Sequence, residues 1–243
     1  MNPRLRLTFF AACLLWPLAA AADQTPAKPL RHLSYDVNVG ATTNQDLTNY
    51  YGHMTSGKGA TASHGTISAD VVGLGNEKSL YVRVWESSDT RKAPPVSVQV
   101  LADGRVAFDP KDAENLNPEE QVLVGLLGRA VVADHDLAEG SQWKVTVGNG
   151  DVTTYRVLSL VDDDKVNLSV ERVANILGAE PMEVTITGRI LYNFKLSAPV
   201  NAALNQHMVA KGLSTQTTSD LSFQYRLSED SLAGAPAAQT SGS

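Results

Sequence analysis

The chain of 243 residues is 43% hydrophobic and 19% charged, with a formal net charge of −6. These values are typical of a folded domain and exclude a disordered or fibrous chain. The acidic balance excludes the basic surface by which most proteins bind nucleic acid, so no nucleic-acid partner is predicted.

The first 22 residues contain the three parts of a secretory signal peptide. Arg4 and Arg6 precede an apolar run over 7–16, and the small residues up to Ala22 suit cleavage before Asp23. Cleavage would leave 18 basic and 26 acidic residues, a net charge of −8. We therefore expect the mature protein in a bacterial periplasm or outside the cell.

The single cysteine, Cys13, lies within this segment. A mature chain without cysteine has no disulfide and must rely on a hydrophobic core. The alternative is that 10–13 forms a lipobox and Cys13 becomes a lipidated first residue. Phe10 stands where lipoboxes usually have Leu, which favours the soluble form. No later stretch has the roughly 20 apolar residues of a membrane helix, so no membrane span is predicted in the mature chain.

Apolar and polar residues alternate along most of the mature chain, which is the pattern of strands with one buried face. The pattern recurs at 33–39, 67–71, 80–84, 96–100, 143–147, 166–170 and 223–227. Turns rich in Gly, Asn and Asp at 102–105, 148–151 and 162–165 separate several of these runs. Such turns join antiparallel neighbours. The predicted fold class is mainly β: an antiparallel meander of about ten strands forming a curved sheet, half-barrel or sandwich.

The longest alternation runs from Met182 to Leu196 and places Ile190 and Tyr192 on its apolar face. Fifteen residues exceed the usual strand of about five or six. Gly188 lies within the run, and glycine inside a strand often marks a bulge. We therefore predict a bulge or bend at Gly188 that wraps the strand around a curved sheet.

A helix is predicted near 118–132. Asn117 suits the N-cap, Pro118 the first helical position and Glu120 the third. The apolar residues that follow at helical spacing are Val122, Leu123, Leu126, Leu127 and Val131. Such a helix would either cover an open sheet or separate two groups of strands. The predicted organisation is a single β-rich domain over 23–230, with a subdivision near 110–140 as the alternative, and a disordered tail over 231–243.

A long polar loop is predicted from Gly40 to Gly65. Its segment 52–58 matches the GxxxxGK spacing of a phosphate-binding loop, but Gly59 stands where that motif needs a hydroxyl for magnesium. We interpret the segment as a flexible connection. Tyr50 and Tyr51 in this loop are candidate ligand-binding residues, acting as a lid, unless they anchor the loop to the core.

No motif specifies a reaction. The chain lacks the GxSxG of a nucleophile elbow and the HExxH of a zinc site, and its histidines have no tight ligand spacing. No catalytic residue, metal or cofactor is therefore predicted.

The strand at 80–86 carries the remaining ligand-binding candidates. Tyr81, Arg83 and Trp85 share the face opposite Leu80, Val82 and Val84. Aromatic rings beside a fixed positive charge would suit a groove for an apolar ligand with a carboxylate or phosphate head group. The alternative is that another element packs on this face and Arg83 extends to its edge.

The sequence resembles two groups of known proteins. Gly140-Ser141-Gln142-Trp143 and Gly188-Arg189-Ile190-Leu191-Tyr192, with an acidic hairpin between them, resemble uncharacterised secreted bacterial β-domains. A signal peptide, a curved antiparallel sheet and a covering helix together resemble periplasmic lipoprotein and lipid carriers. The second resemblance concerns the fold alone, and no residue role is transferred from it.

Three functions follow from these patterns. The first is a secreted or periplasmic, non-catalytic binding protein for a lipid or another apolar ligand. The second is a structural or interaction module whose partner is another envelope protein. The third is a secreted hydrolase, which would need a nucleophile and a base in one cleft.

Overall fold

A computed structural model describes most of the chain. The described residues are 29–48, 54–76, 79–88, 92, 94–102, 104–128, 131–132, 135–147, 151–176, 181–212 and 215–232. The predicted signal peptide with Cys13, the tail beyond 232 and the pair Tyr50 and Tyr51 lie outside them. Among the described residues, no helix has the length and apolar character needed to cross a bilayer.

Within the described ranges, eleven antiparallel strands form one open sheet, which confirms the predicted fold class. The strands are β1 (Arg31–Thr48), β2 (Met54–Leu74), β3 (Leu80–Ser88), β4 (Val96–Val100), β5 (Val106–Phe108), β6 (Gln142–Val147), β7 (Asp151–Leu160), β8 (Lys165–Ile176), β9 (Met182–Asn193), β10 (Ala198–Lys211) and β11 (Thr215–Asp230). A short 3₁₀ helix (Pro110–Asn115) and the helix α1 (Pro118–Gly125) lie between β5 and β6.

The strand order is β5-β4-β3-β2-β1-β11-β10-β9-β8-β7-β6. Two meanders, β1 to β5 and β6 to β11, are therefore joined by the pairing of the first strand with the last. The segment 109–141 leads from one edge of the sheet to the other. On the way it covers the sheet face that carries the buried side chains, which we call the inner face.

The helix begins as the sequence predicts. The Glu120 carboxylate accepts a hydrogen bond from the Asn117 backbone N–H at 2.8 Å, and the Asn117 side-chain amide donates to Glu86 at 2.7 Å. The end of the predicted helix is wrong, because α1 ends at Gly125 rather than near 132. A turn follows, in which Gly128 adopts a φ of 86°, a backbone conformation that favours glycine.

Two tyrosine hydroxyls hold the segment after β5 on the inner face. Tyr225 donates to the Glu119 carbonyl at 2.9 Å, and Tyr192 donates to the Gly128 carbonyl. Burial raises the pKa of both hydroxyls well above the usual value. The apolar side chains of this segment that are buried in the core are Leu116, Leu123, Val124, Leu126, Leu127, Val131 and Val132.

A buried ion pair joins β1 to the end of β11. Arg31 donates from Nε to Asp230 Oδ1 at 3.0 Å and from Nη2 to Asp230 Oδ2 at 2.6 Å. The third arm of the guanidinium donates to the Leu196 carbonyl in the β9–β10 turn. The first strand, the last strand and one turn are thus connected through one side chain.

The loop predicted over Gly40–Gly65 is wrong, because β1 extends to Thr48 and pairs with β2 as far as Met54. The sequence here is rich in Thr, Ser and Gly and lacks apolar alternation. Backbone hydrogen bonds to β2 and β11 hold this part of β1, while most of its side chains from Ala41 to Asp46 face solvent at least in part. The GxxxxGK spacing therefore lies largely within a strand rather than in a phosphate-binding loop.

The bulge predicted at Gly188 is also wrong, since β9 pairs with both neighbours there without a shift in register. A Cβ at this position would lie 2.2 Å from the Ala203 carbonyl oxygen and 2.7 Å from Leu204 Cδ2. The glycine thus permits a close approach of β10. Strand β9 also ends earlier than predicted, at Asn193, whose side chain accepts a hydrogen bond from the Leu196 N–H at 2.9 Å.

Candidate functional site

An apolar cleft of about 450 Å³ lies on the inner face between α1, the turn before β5 and strands β6 to β10. Volumes of this size suit small-molecule ligands. The apolar side chains that line it are Val106, Val122, Leu126, Val145, Tyr155, Val170, Ala174, Met182, Val184, Ile186, Leu204 and Met208. We call this cavity the inner cleft.

The register of the strands arranges the floor of the inner cleft in three rows that run across β7 to β10. The first row contains Tyr155, Val170, Gly188 and Leu204; the second contains Thr153, Arg172, Ile186 and Gln206; the third contains Ala174, Val184 and Met208. Since side chains on one face alternate along each strand, all of these residues point the same way. The middle row carries Thr153, Arg172 and Gln206, and on β8 to β10 the other two rows are apolar. Asp151 lies two residues before Thr153 on β7, so it lines the cleft at the β7 end of the third row.

Helix α1 forms one wall of the cleft. Its residues Leu123 and Val124 are buried in the core, whereas Val122 lines the cleft and is only half-buried. Across the cleft, Val145 and Met182 are also half-buried although they face inward. No described residue therefore covers this part of the apolar inner face, and an apolar ligand there would remove it from water.

One ion pair lies among these apolar groups. Arg172 Nη2 is 3.1 Å from Asp151 Oδ2, and the side chains are 42% and 23% exposed. In the same middle row, the Gln206 amide donates to the sulfur of Met208 at 2.9 Å. Burial raises the pKa of the Tyr155 hydroxyl to about 12, so that it stays neutral. The cleft thus combines apolar walls with a few polar groups.

The sequence-predicted residues Tyr81, Arg83 and Trp85 lie together on the opposite, outer face of β3. Arg83 donates to Asp70 Oδ2 at 2.7 Å, and His32 Nδ1 lies 2.7 Å from Asp70 Oδ1. Burial opposes ionisation of Asp70, but the hydrogen bonds from Arg83 and His32 outweigh it and lower the pKa of this carboxyl. The guanidinium therefore already has a carboxylate partner.

The rings on this outer face differ in their surroundings. The Trp85 ring lies 6.2 Å from the His32 ring, centroid to centroid, and is half-buried. Tyr81 is 46% exposed and pairs with Gly73 of β2, whose chain neighbours Val72 and Leu74 are 44% and 73% exposed. Leu30, whose N–H donates to the Val71 carbonyl at 2.8 Å, is 57% exposed. We call Leu30, Val72, Leu74 and Tyr81, the exposed apolar residues at this end of β1 to β3, the outer patch.

Sequence reasoning missed the inner cleft, although part of its signal was present. Strand β10 alternates Ala202, Leu204, Gln206 and Met208 inward, but small and polar members weaken the pattern. The position of Arg172 within an apolar face was also visible, between Val170 and Ala174. The sequence does not show how α1 lies against strands β6 to β10, and that packing forms the cleft.

The described histidines provide no hydrolytic pair with a hydroxyl. His32 and His207 each contact an aspartate through Nδ1, at 2.7 Å from Asp70 and Asp220 respectively. None of the four described histidine rings, which include His64 and His135, is hydrogen-bonded to a serine or threonine hydroxyl within the described ranges, as a nucleophile and base would be. Groups of three or more potential metal ligands are also not found among those residues.

No protein-family model matches the sequence, and no curated protein is similar to it in sequence. Among solved structures, the chain is similar to lipovitellin, from a structure concerned with lipid–protein interactions in that protein. The TM-score is 0.46 and the identity 11%, over 88% of this chain and 26% of the lipovitellin chain. The chain thus spans about a quarter of that protein, and the similarity says nothing about function.

Proposed function

We propose that the protein is a non-catalytic binding protein that holds an apolar ligand, such as a lipid acyl chain, in the inner cleft. The observation that carries the proposal is the part of the inner face that the described residues leave uncovered, where half-buried Val122, Val145 and Met182 line a cleft of about 450 Å³. Each Å² of apolar surface that a ligand removes from water contributes roughly 25 cal/mol. A ligand would therefore complete the core that α1 leaves open.

Native mass spectrometry of the protein purified without detergent tests this directly. We expect an adduct of lipid mass that denaturation removes and that organic extraction recovers. We also expect the dye N-phenyl-1-naphthylamine to gain fluorescence on entering the cleft after extraction. A protein that carries no adduct and takes up no dye would contradict the proposal.

A matched pair of variants locates the site. Thr153 lines the inner cleft, whereas the adjacent Thr154 points to the other face of β7. We expect Thr153→Trp to fill the cleft and abolish dye uptake, and Thr154→Trp to leave uptake unchanged. Equal effects of the two variants would place the ligand elsewhere.

We also propose that the protein acts in the periplasm or outside the cell. The support is the sequence pattern over 1–22, with Ala22 before the expected cleavage point. An intact mass that begins at Asp23, measured on protein from the periplasm, is the expected result. A lipidated Cys13 would instead indicate the lipoprotein, and an uncleaved cytoplasmic chain would contradict both.

The outer patch favours a second candidate, an envelope module that binds another protein. Contiguous apolar groups on a surface often mark an interface. The patch lies beside Arg83 and Trp85, so the predicted residues on β3 would belong to this surface. A photo-crosslinking residue at Leu74 would then capture the same protein repeatedly in intact cells, while one at exposed Glu183 on β9 would not. Absence of any specific product from Leu74 would contradict this candidate.

A further inference from the structure

Among the described residues, Arg105, Arg172 and Asp151 are the charged residues that line the inner cleft. Arg172 and Asp151 form an ion pair at the floor of the cleft. A fixed cation in a cleft with low-dielectric walls attracts anionic groups.

Arg172 holds its charge at a defined point on the floor. On β8 it lies between Val170 and Ala174 of the same face, and across the sheet it pairs with Thr153 and Ile186. A guanidinium on an apolar face loses part of its hydration, and hydrogen bonds replace that part. Asp151 supplies one of these bonds, and a polar group of a bound ligand would supply others.

Asp151 satisfies only part of the guanidinium. The contact at 3.1 Å uses Nη2, and arginine has five N–H donors. Arg172 makes no other protein hydrogen bond within the part of the chain that the structure describes. Its 42% exposure leaves the remaining donors accessible from the cleft.

We propose that the ligand of the inner cleft is an amphiphile with an anionic head group, a carboxylate or a phosphate, bound by Arg172. Its alkyl chain lies on the apolar rows that contain Leu204 and Val184. This inference rests on the proposed function and specifies its ligand class. Arginine suits the task because its planar fork pairs with carboxylate and phosphate oxygens through two hydrogen bonds.

The test compares twelve-carbon ligands that differ only in the head group, below their micelle concentrations, by calorimetry on the delipidated protein. The ligands are dodecanoate, dodecyl phosphate, 1-dodecanol and dodecyltrimethylammonium. We expect both anions to bind roughly 10- to 100-fold more tightly than the alcohol, the range that hydrogen bonds to charged groups supply. The tighter of the two anions then identifies the head group.

Arg172→Gln should abolish this preference while dodecanol binding stays the same, and Arg172→Lys should keep part of it. The matched control is Arg156→Gln on β7, where the arginine is exposed on the outer face and contacts Gln142 at 2.9 Å. That control should retain the full preference.

Two results would overturn the inference: equal affinity for the alcohol and the anions, or tighter binding of the cation. The inference also fails if Arg172→Gln keeps the preference of the original protein. Failure of the proposed function gives a different result from failure of this inference. In that case neither 1-dodecanol nor the anions bind.

Discussion

Replacing Arg31 by methionine tests the main connection between the two ends of the folded chain. Methionine keeps much of the length of the side chain but removes both hydrogen bonds to Asp230, at 3.0 and 2.6 Å, and the contact with the Leu196 carbonyl. The Asp230 side chain is 1% exposed and that of Arg31 10%. The substitution therefore leaves a carboxylate without its partner and out of reach of water.

The expected cost follows from that burial. Removing one member of a buried ion pair destabilises a protein by roughly 3–5 kcal/mol, because the remaining charge stays desolvated. In a domain of this size, each kcal/mol lowers Tm by about 2–4 °C, so Arg31→Met should lower it by roughly 6–20 °C.

Urea unfolding and thermal unfolding at neutral pH measure the effect, and the double variant Arg31→Met with Asp230→Leu is its control. Replacing both partners by apolar groups removes the isolated charge, so the double variant should recover most of the lost stability. A loss below about 1 kcal/mol in the single variant would refute the reasoning, since surface pairs contribute that little. A double variant as unstable as the single one would show that packing, not charge, is responsible.

Three further predictions concern other parts of the sheet. Gly188→Ala should lower the free energy of unfolding, measured in urea, by about 1–3 kcal/mol, because the new Cβ would lie 2.2 Å from the Ala203 carbonyl oxygen. Gly59→Ala is the control, since nothing lies within 4 Å of that position, and equal effects of the two variants would refute the steric explanation. The lowered pKa of Asp70 contributes stability that is present above about pH 4 and lost as the pH falls through the lowered value. In urea titrations, the difference in unfolding free energy between the protein and Asp70→Asn should therefore shrink at lower pH, and a difference independent of pH would contradict this. Ile190→Asp should unfold the protein, as circular dichroism would show, because it would place a carboxylate at a buried position with no evident partner for the charge. A stable, soluble variant would mean that β9 faces the other way.

The sequence predicted the local structure wherever side chains decide it. Alternation identified the inward faces of β3, where Val82 and Val84 are buried, and of β9, where Ile190 and Tyr192 are buried. The start of α1 was also predicted, because a cap depends on residues only three positions apart. These features need no knowledge of distant contacts.

Features that depend on backbone pairing were predicted poorly. From Gly40 onward β1 has no apolar alternation, and its strand exists because β2 and β11 offer backbone hydrogen bonds on both sides. At Gly188 the sequence shows only that the position has no side chain. The structure shows the reason, because the Ala203 carbonyl of the neighbouring strand comes too close for a Cβ.

By itself, the sequence determined a mainly β, antiparallel fold, the inward faces of most strands and the beginning of one helix, since each of these depends on neighbours along the chain. Tertiary structure alone decided that β1 pairs with β11 and that α1 stops at Gly125. It also placed Arg172 beside Asp151 in an apolar cleft, although the two are 21 residues apart. Such features depend on contacts between distant residues, and strand register and connection length fix those contacts only when the whole sheet is assembled.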